Sequence, residues 1–210
     1  MGEGATTIAA QFVDVGPALE ELLVELREEL ANNPPLPGAF SPQKGDIVAA
    51  KFSADGEWYR AKVDKVAQGQ VQVTYIDYGN KETVKTRDVA PLPSSKFNTS
   101  SFPAAAKEYA LAYVSLPEDP ELVDESKNAL TQDILDRVLL LRSEYKDTTT
   151  GAEHVTLFDA ESNKDVVLEL VTEGLFMMNL KERRKERRLQ KTVTEYRTAQ
   201  DAAKKARVSF

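Results

Sequence analysis

Behind Gly16-Pro17, Leu19, Leu22, Leu23, Leu26 and Leu30 recur at helical spacing, with Glu20 and Glu21 near the positive end of the dipole. The pattern predicts an amphipathic helix from Pro17 to Ala31. Asn32-Asn33-Pro34-Pro35-Leu36-Pro37-Gly38 cannot continue it, because proline lacks the backbone donor and favours an extended course, and the segment reads as a linker. From Asp46 the period drops to two. Asp46 to Ser53, Glu57 to Val66, Gln70 to Asp77 and Lys81 to Thr86 read as strands, separated by Ala54-Asp55-Gly56, Gln68-Gly69 and Tyr78-Gly79-Asn80, which suit tight turns. Four or five short strands joined by hairpins predict a small, strongly bent barrel. Pro91-Leu92-Pro93 and the polar cluster up to Ser101 close that unit as a second linker.

The outer segments are mixed. Met1 to Gln11 predicts no element, and Gln11 to Val15 suits a single strand. Lys107 to Leu116 reads as a strand, and Asp119-Pro120 opens a polar helix to about Asp136 carrying Leu122, Val123, Leu130, Ile134 and Leu135. Val138 to Tyr145 and His154 to Asp159 read as strands, and Val166 to Gly174 as a short helix capped by its glycine. A last helix, Arg184 to Arg207, places Leu189, Val193, Tyr196, Ala199, Ala203 and Ala206 along one face.

Composition narrows the chemistry. The 210 residues carry 27 Lys+Arg against 34 Asp+Glu, a formal charge of −7, so the surface as a whole does not suit a polyanion. The absence of cysteine removes disulfides, thiolate nucleophiles and cysteine-ligated zinc, and the single histidine, His154, reads as structural. No apolar run approaches the roughly 18 residues of a membrane span, and the N-terminus lacks a signal-peptide pattern. The expectation is a soluble, membrane-free protein of the cytoplasm, with the nucleus as a second compartment.

Lys51-Phe52, Glu57-Trp58-Tyr59-Arg60-Ala61 and Tyr75-Ile76-Asp77-Tyr78-Gly79-Asn80 resemble the signature of Tudor domains. A Pro-rich linker precedes them. Pro91-Leu92-Pro93 and a tail with Leu170-Val171-x-x-Gly174-Leu175 and Ala202-x-x-x-Ala206-Arg207 follow, and this order is similar to the C-terminal part of the Tudor staphylococcal nucleases. The resemblance implies an α+β extended Tudor domain: a small Tudor β-barrel inserted in a staphylococcal-nuclease-like OB-fold lobe, with Pro17 to Ala31 as bridging helix. The implied division is 1–38 for the first part of the lobe plus the helix, 39–95 for the Tudor domain and 96–210 for the rest of the lobe. Further domains are expected before residue 1.

An aromatic cage suits a methylated guanidinium, because methylation removes donors and hydration while ring faces supply negative potential, about 0.5–2 kcal/mol per good contact. Tyr59 and Tyr75 fall on successive predicted strands, Phe52 ends the strand before them, and Tyr78 follows Tyr75 across a turn. By the resemblance these four rings are the cage, and Asn80 is the polar residue that hydrogen-bonds the guanidinium. The expected pose slides a dimethylguanidinium, preferably symmetric, between parallel Tyr59 and Tyr75, with Phe52 and Tyr78 closing the sides. The competing reading makes the rings barrel core. Trp58, opposite Tyr59, is assigned to packing. Asp77 reads equally as a turn acid or as an acid beside a cationic guest, and Asp55 and Glu57 as solvated turn residues or an acidic rim.

The basic run from Lys181 to Arg188 is the nucleic-acid candidate, with Arg183, Arg184, Arg187 and Arg188 as phosphate contacts, against the reading of a solvated helix start without interleaved aromatics. A nuclease of the resembled class would need a cluster of carboxylates and arginines, and no such set precedes Asp46. The sequence therefore points to a monomeric binding module for arginine-methylated, Arg-Gly-rich proteins, with no catalytic residue, cofactor or metal. An OB-like RNA-binding module is the alternative, and an active nuclease the third reading.

Overall fold

A strand stands where the sequence predicted none. In β1 (Thr7–Gln11) Ile8 is buried and Ala10 half-buried between exposed neighbours, an alternation that Thr-Ile-Ala-Ala-Gln barely shows, and Val13–Val15 forms a 3-10 turn in place of the expected strand. The computed structural model describes residues 6–135, 137–179 and 190–206. Packing divides the chain into two units, Ala9–Glu108 and Met1–Ile8 with Tyr109–Phe210.

In the first unit, α1 (Gly16–Asn32) carries Pro17 in its first turn and buries the five predicted leucines. They pack on Ala49, Ala90, Phe97 and Ala105, with Trp58 and Tyr59 at the margin. The helix is thus held by the small sheet and the 97–105 segment. The proline linker joins two parts of one packed unit, and the burial of each leucine contributes about 1.5–3 kcal/mol.

The sheet comprises β2 (Ile47–Lys51), β3 (Trp58–Ala67), β4 (Gln70–Tyr75), β5 (Lys81–Lys85) and β6 (Val89–Pro91), antiparallel in the order β5-β4-β3-β2-β6. Ala50 pairs with Tyr59, and Ala61 with Tyr75. The Gln68-Gly69 turn has φ of 46° and 78°, the left-handed pair that matches strand twist in a two-residue hairpin. β6 lies partly in the expected linker; its Pro91, which has no ladder donor, closes an edge strand where none is required. Only the three-residue turn Thr86–Asp88 separates β5 from β6, the two sheet edges, so the sheet must curl until those edges approach. Val48, Ala50, Ala61, Val63, Val71, Val73, Tyr75, Val84 and Val89 fill its interior. Ala49, on the other face of β2, is equally buried because α1 covers it.

The second unit takes up the chain within β7 (Ala106–Leu111), followed by β8 (Val114–Ser115), α2 (Pro120–Ile134), β9 (Leu139–Lys146), β10 (Glu153–Asp159), α3 (Val166–Thr172), β11 (Met177–Met178) and α4 (Gln190–Lys205). The predicted strand from Lys107 to Leu116 is broken at Tyr113, whose φ of 65° lies outside the strand region. The sheet order is β1-β7-β10-β9, with β10 parallel to β7 and antiparallel to β9. Asp165 caps α3 through Val167 and Leu168 N–H, and the buried Tyr196 hydroxyl lies 2.9 and 3.0 Å from its two oxygens, which ties α4 to α3. Arg183, Arg184, Arg187 and Arg188 lie outside the described residues. Among the described residues no helix is long and apolar enough to cross a membrane, and no group of three or more His, Asp or Glu could hold a metal ion.

Candidate functional site

The Tyr75–Asn80 turn decides where two of the predicted rings stand. Tyr75 N–H donates to the Asn80 carbonyl at 2.9 Å, and Gly79 N–H to the Tyr75 carbonyl at 2.7 Å. Gly79 has φ +86°, and a Cβ built there would meet Ala9 Cβ at 2.2 Å, so glycine is demanded by conformation and by space. The turn returns Tyr78 to the side of Tyr59, and Asn80 is exposed at its end.

Phe52, Tyr59, Tyr75 and Tyr78 come together. Phe52 lies 5.4 Å from Tyr75 and 6.2 Å from Tyr59; Tyr59 lies 6.0 Å from Tyr75 and 5.5 Å from Tyr78, centroid to centroid. Every one of these contacts is edge to face, at 78° to 90°. The expected parallel pair, Tyr59 and Tyr75, is therefore not present. Their rings stand at 82° in direct contact, and stacking a plate between two faces needs about 3.5 Å on each side. Phe52 and Tyr78 instead both stand across Tyr59, at 87° and 90°. Tyr75 is only 2% exposed and Tyr78 46%, so the cluster grades from barrel floor to open rim.

Tyr75 and Tyr59 are held by polar groups. The Tyr75 hydroxyl lies 2.9 Å from the Lys51 carbonyl and 3.0 Å from Glu82 Oε2. Tyr59 donates to Asp55 at 2.7 Å, and Asp55 also accepts from Glu57 N–H at 2.9 Å. Burial, then the Asp55 bond, pushes the Tyr59 hydroxyl up to about 12, and burial raises Tyr75 and Tyr78 as well. The Glu57 N–H and then the Tyr59 hydroxyl hold Asp55 below the usual carboxylate range. Asp55 is exposed yet engaged. Trp58, half-buried against the α1 leucines, carries Lys51 Nζ at 5.2 Å from its ring centroid.

Asp77 resolves as a structural acid. It and Arg60 are 1% and 0% exposed, joined by Nε to Oδ2 at 2.9 Å and Nη2 to Oδ1 at 2.6 Å. The remaining guanidinium donors reach the carbonyls of Phe97 at 3.1 Å, Phe102 at 2.6 Å and Pro103 at 3.1 Å. Ala105 N–H donates to Asp77 Oδ1 at 3.0 Å, and the Gln11 side chain donates to the Asp77 carbonyl. All five N–H groups of Arg60 are satisfied, and both Asp77 oxygens are occupied, so Asp77 has nothing to offer a guest. The network pins the 97–105 segment to the turn that carries Tyr78. Sequence reading missed Arg60; it shares its face of β3 with Lys62 and Asp64, so alternation marks it as an exposed cation and gives no signal of its burial. It also missed Arg27, which reaches from α1 to the face of Tyr59.

With this geometry in view, comparison with known proteins places the chain. The Tudor domain model matches residues 2–113. Staphylococcal nuclease domain-containing protein 1 of Drosophila melanogaster is 42% identical over 205 residues, 97% of this chain and 21% of that protein. The chain thus spans about a fifth of the length of this curated relative. The extended Tudor domain of Drosophila Tudor-SN (p100) superposes with a TM-score of 0.87 at 41% identity, covering 97% of this chain and 92% of that one. The human TDRD1 extended Tudor domain, solved in complex with a symmetrically dimethylated peptide, superposes with a TM-score of 0.67 at 26% identity, covering 80% of this chain and 82% of that one. This chain belongs to the Tudor domain family, and its α+β architecture is that of an extended Tudor domain.

Proposed function

We propose that this chain binds methylated arginine, preferably symmetric dimethylarginine, in Arg-Gly-rich partner proteins. The guest lies between Phe52 and Tyr78 and against Tyr59, over a floor made by Tyr75. The observation that carries this reading is the convergence of four rings, two of them standing across a third, graded from a buried floor to an exposed rim. A dimethylguanidinium is a flat cation with weak hydration and apolar edges, so ring faces hold it better than water does. The methylated ligand of the human TDRD1 neighbour supports the same chemistry here. Asn80, exposed at the end of the turn, offers a carbonyl oxygen to a remaining guanidinium N–H. We read the second unit as the nuclease-like OB-fold lobe, a reading supported by residues from both sides of the barrel unit packing together. It acts here as scaffold and not as a nuclease.

Calorimetric titration with one Arg-Gly peptide in symmetric dimethyl, asymmetric dimethyl and unmodified forms tests the proposal. The symmetric form should bind tightest and the unmodified form about tenfold or more weaker. Equal affinity for all three overturns it.

A further inference from the structure

We propose that Arg27, reaching from α1, is a positioning residue for the ring cluster and works with Asp55 to hold Tyr59 across its neighbours. The proposal rests on the reading of those rings as a methylarginine site. The Arg27 guanidinium carbon lies 4.8 Å from the Tyr59 ring centroid. Its Nε points to the Trp58 carbonyl at 3.4 Å and to Glu57 Oε2 at 3.4 Å, so the group is tethered to the residues on either side of the ring's strand entry. Asp55 holds the ring's far end through the hydroxyl at 2.7 Å.

These two restraints do different things. A tyrosine fixed only at its hydroxyl still rotates about the axis from Cβ to oxygen, and that rotation is the one that changes interplanar angles. A guanidinium lying over the ring face opposes it. The 87°, 82° and 90° angles that Tyr59 makes with Phe52, Tyr75 and Tyr78 therefore depend on Arg27 as much as on Asp55. Glu57 Oε2, 3.4 Å from Arg27 Nε, offsets the Arg27 charge toward an incoming cation. Helix α1, whose leucines anchor it to the barrel, becomes part of the binding site through this one residue.

The test uses the whole chain and Arg27→Gln, Arg27→Lys and Tyr78→Ala, titrated with a symmetrically dimethylated Arg-Gly peptide. Ring-flip rates are read by NMR of labelled tyrosines. Arg27→Gln should weaken binding about three- to tenfold and speed the Tyr59 flip while leaving Tyr75 unchanged. Arg27→Lys, which keeps the charge and loses the plane, should recover less than half of that loss. If Tyr78→Ala loses binding while Arg27→Gln stays within twofold of wild type or binds more tightly, the positioning role is overturned and the site stands. If Tyr78→Ala binds like wild type, the site reading itself fails. Should Arg27→Gln unfold the unit, Arg27→Lys decides: a faster Tyr59 flip with weaker binding supports the brace, and an unchanged flip overturns it.

Discussion

Asp77→Asn exchanges one carboxylate oxygen for an amino group in a site already supplied with donors. Oδ1 accepts from Arg60 Nη2 at 2.6 Å and Ala105 N–H at 3.0 Å, and Oδ2 accepts from Arg60 Nε at 2.9 Å. In either amide orientation the new NH2 faces at least one N–H, and the Arg60 charge stays buried without its counter-ion. Breaking one side of such a pair costs about 3–5 kcal/mol. For a unit of about 100 residues each kcal/mol moves the thermal midpoint by about 4–8 °C, so a fall of about 12 °C or more is expected. The Arg60→Met, Asp77→Leu double variant should not restore stability. The carbonyls of Phe97, Phe102 and Pro103 and the Ala105 N–H would lose their partners, at about 1–3 kcal/mol for each group left unsatisfied. Thermal and urea denaturation of wild type, Asp77→Asn and the double variant check this. A loss below about 1 kcal/mol for Asp77→Asn would refute the claim that this ion pair fastens the Tyr78 turn.

Three further outcomes are expected. Gly79→Ala places a Cβ against Ala9 at positive φ; it should cost about 1–3 kcal/mol in a urea melt and weaken peptide binding through displacement of Tyr78. Asn80→Ala should leave the midpoint unchanged and narrow the preference for dimethylarginine over trimethyllysine, measured as a ratio of dissociation constants, because only arginine has an N–H for the carbonyl. Affinity should be flat from about pH 5.5 to about pH 9: Asp55 is held below its ordinary 3.8, so its contribution is lost only as pH falls beneath that range, and Tyr59 is raised from 10.0 to about 12, so its contribution is lost as pH climbs past 10. Titrations at three pH values check the window.

The leucine stripe of α1 and the alternating strands of the barrel were legible because each buries one face against a continuous partner. β1 was not, since its inward positions are Ile8 and Ala10 and the exposed Ala9 between them hides the period. β6 hid behind Pro91, a residue that signals a linker unless the strand is known to be an edge. The ring positions could be read from the motif, yet their angles could not. Whether Tyr59 lies parallel to Tyr75 or across it depends on Asp55 and Arg27, which meet the ring from a turn and a helix, and one-dimensional spacing does not encode that meeting. Asp77 showed a turn position but not its buried partner, because Arg60 lies on β3 and Asp77 in the turn that follows β4. The bond that fixes the site is therefore the part a linear reading sees least.

The central claim is that Phe52 and Tyr78, standing across Tyr59, hold a dimethylguanidinium. Titration of wild type, Phe52→Ala and Tyr78→Ala with symmetric dimethylarginine in one Arg-Gly peptide tests it most directly. Each substitution should weaken binding by about 1–2 kcal/mol, roughly tenfold, with the thermal midpoint of the exposed-ring variant Tyr78→Ala close to wild type. Wild-type affinity in either variant would contradict the account.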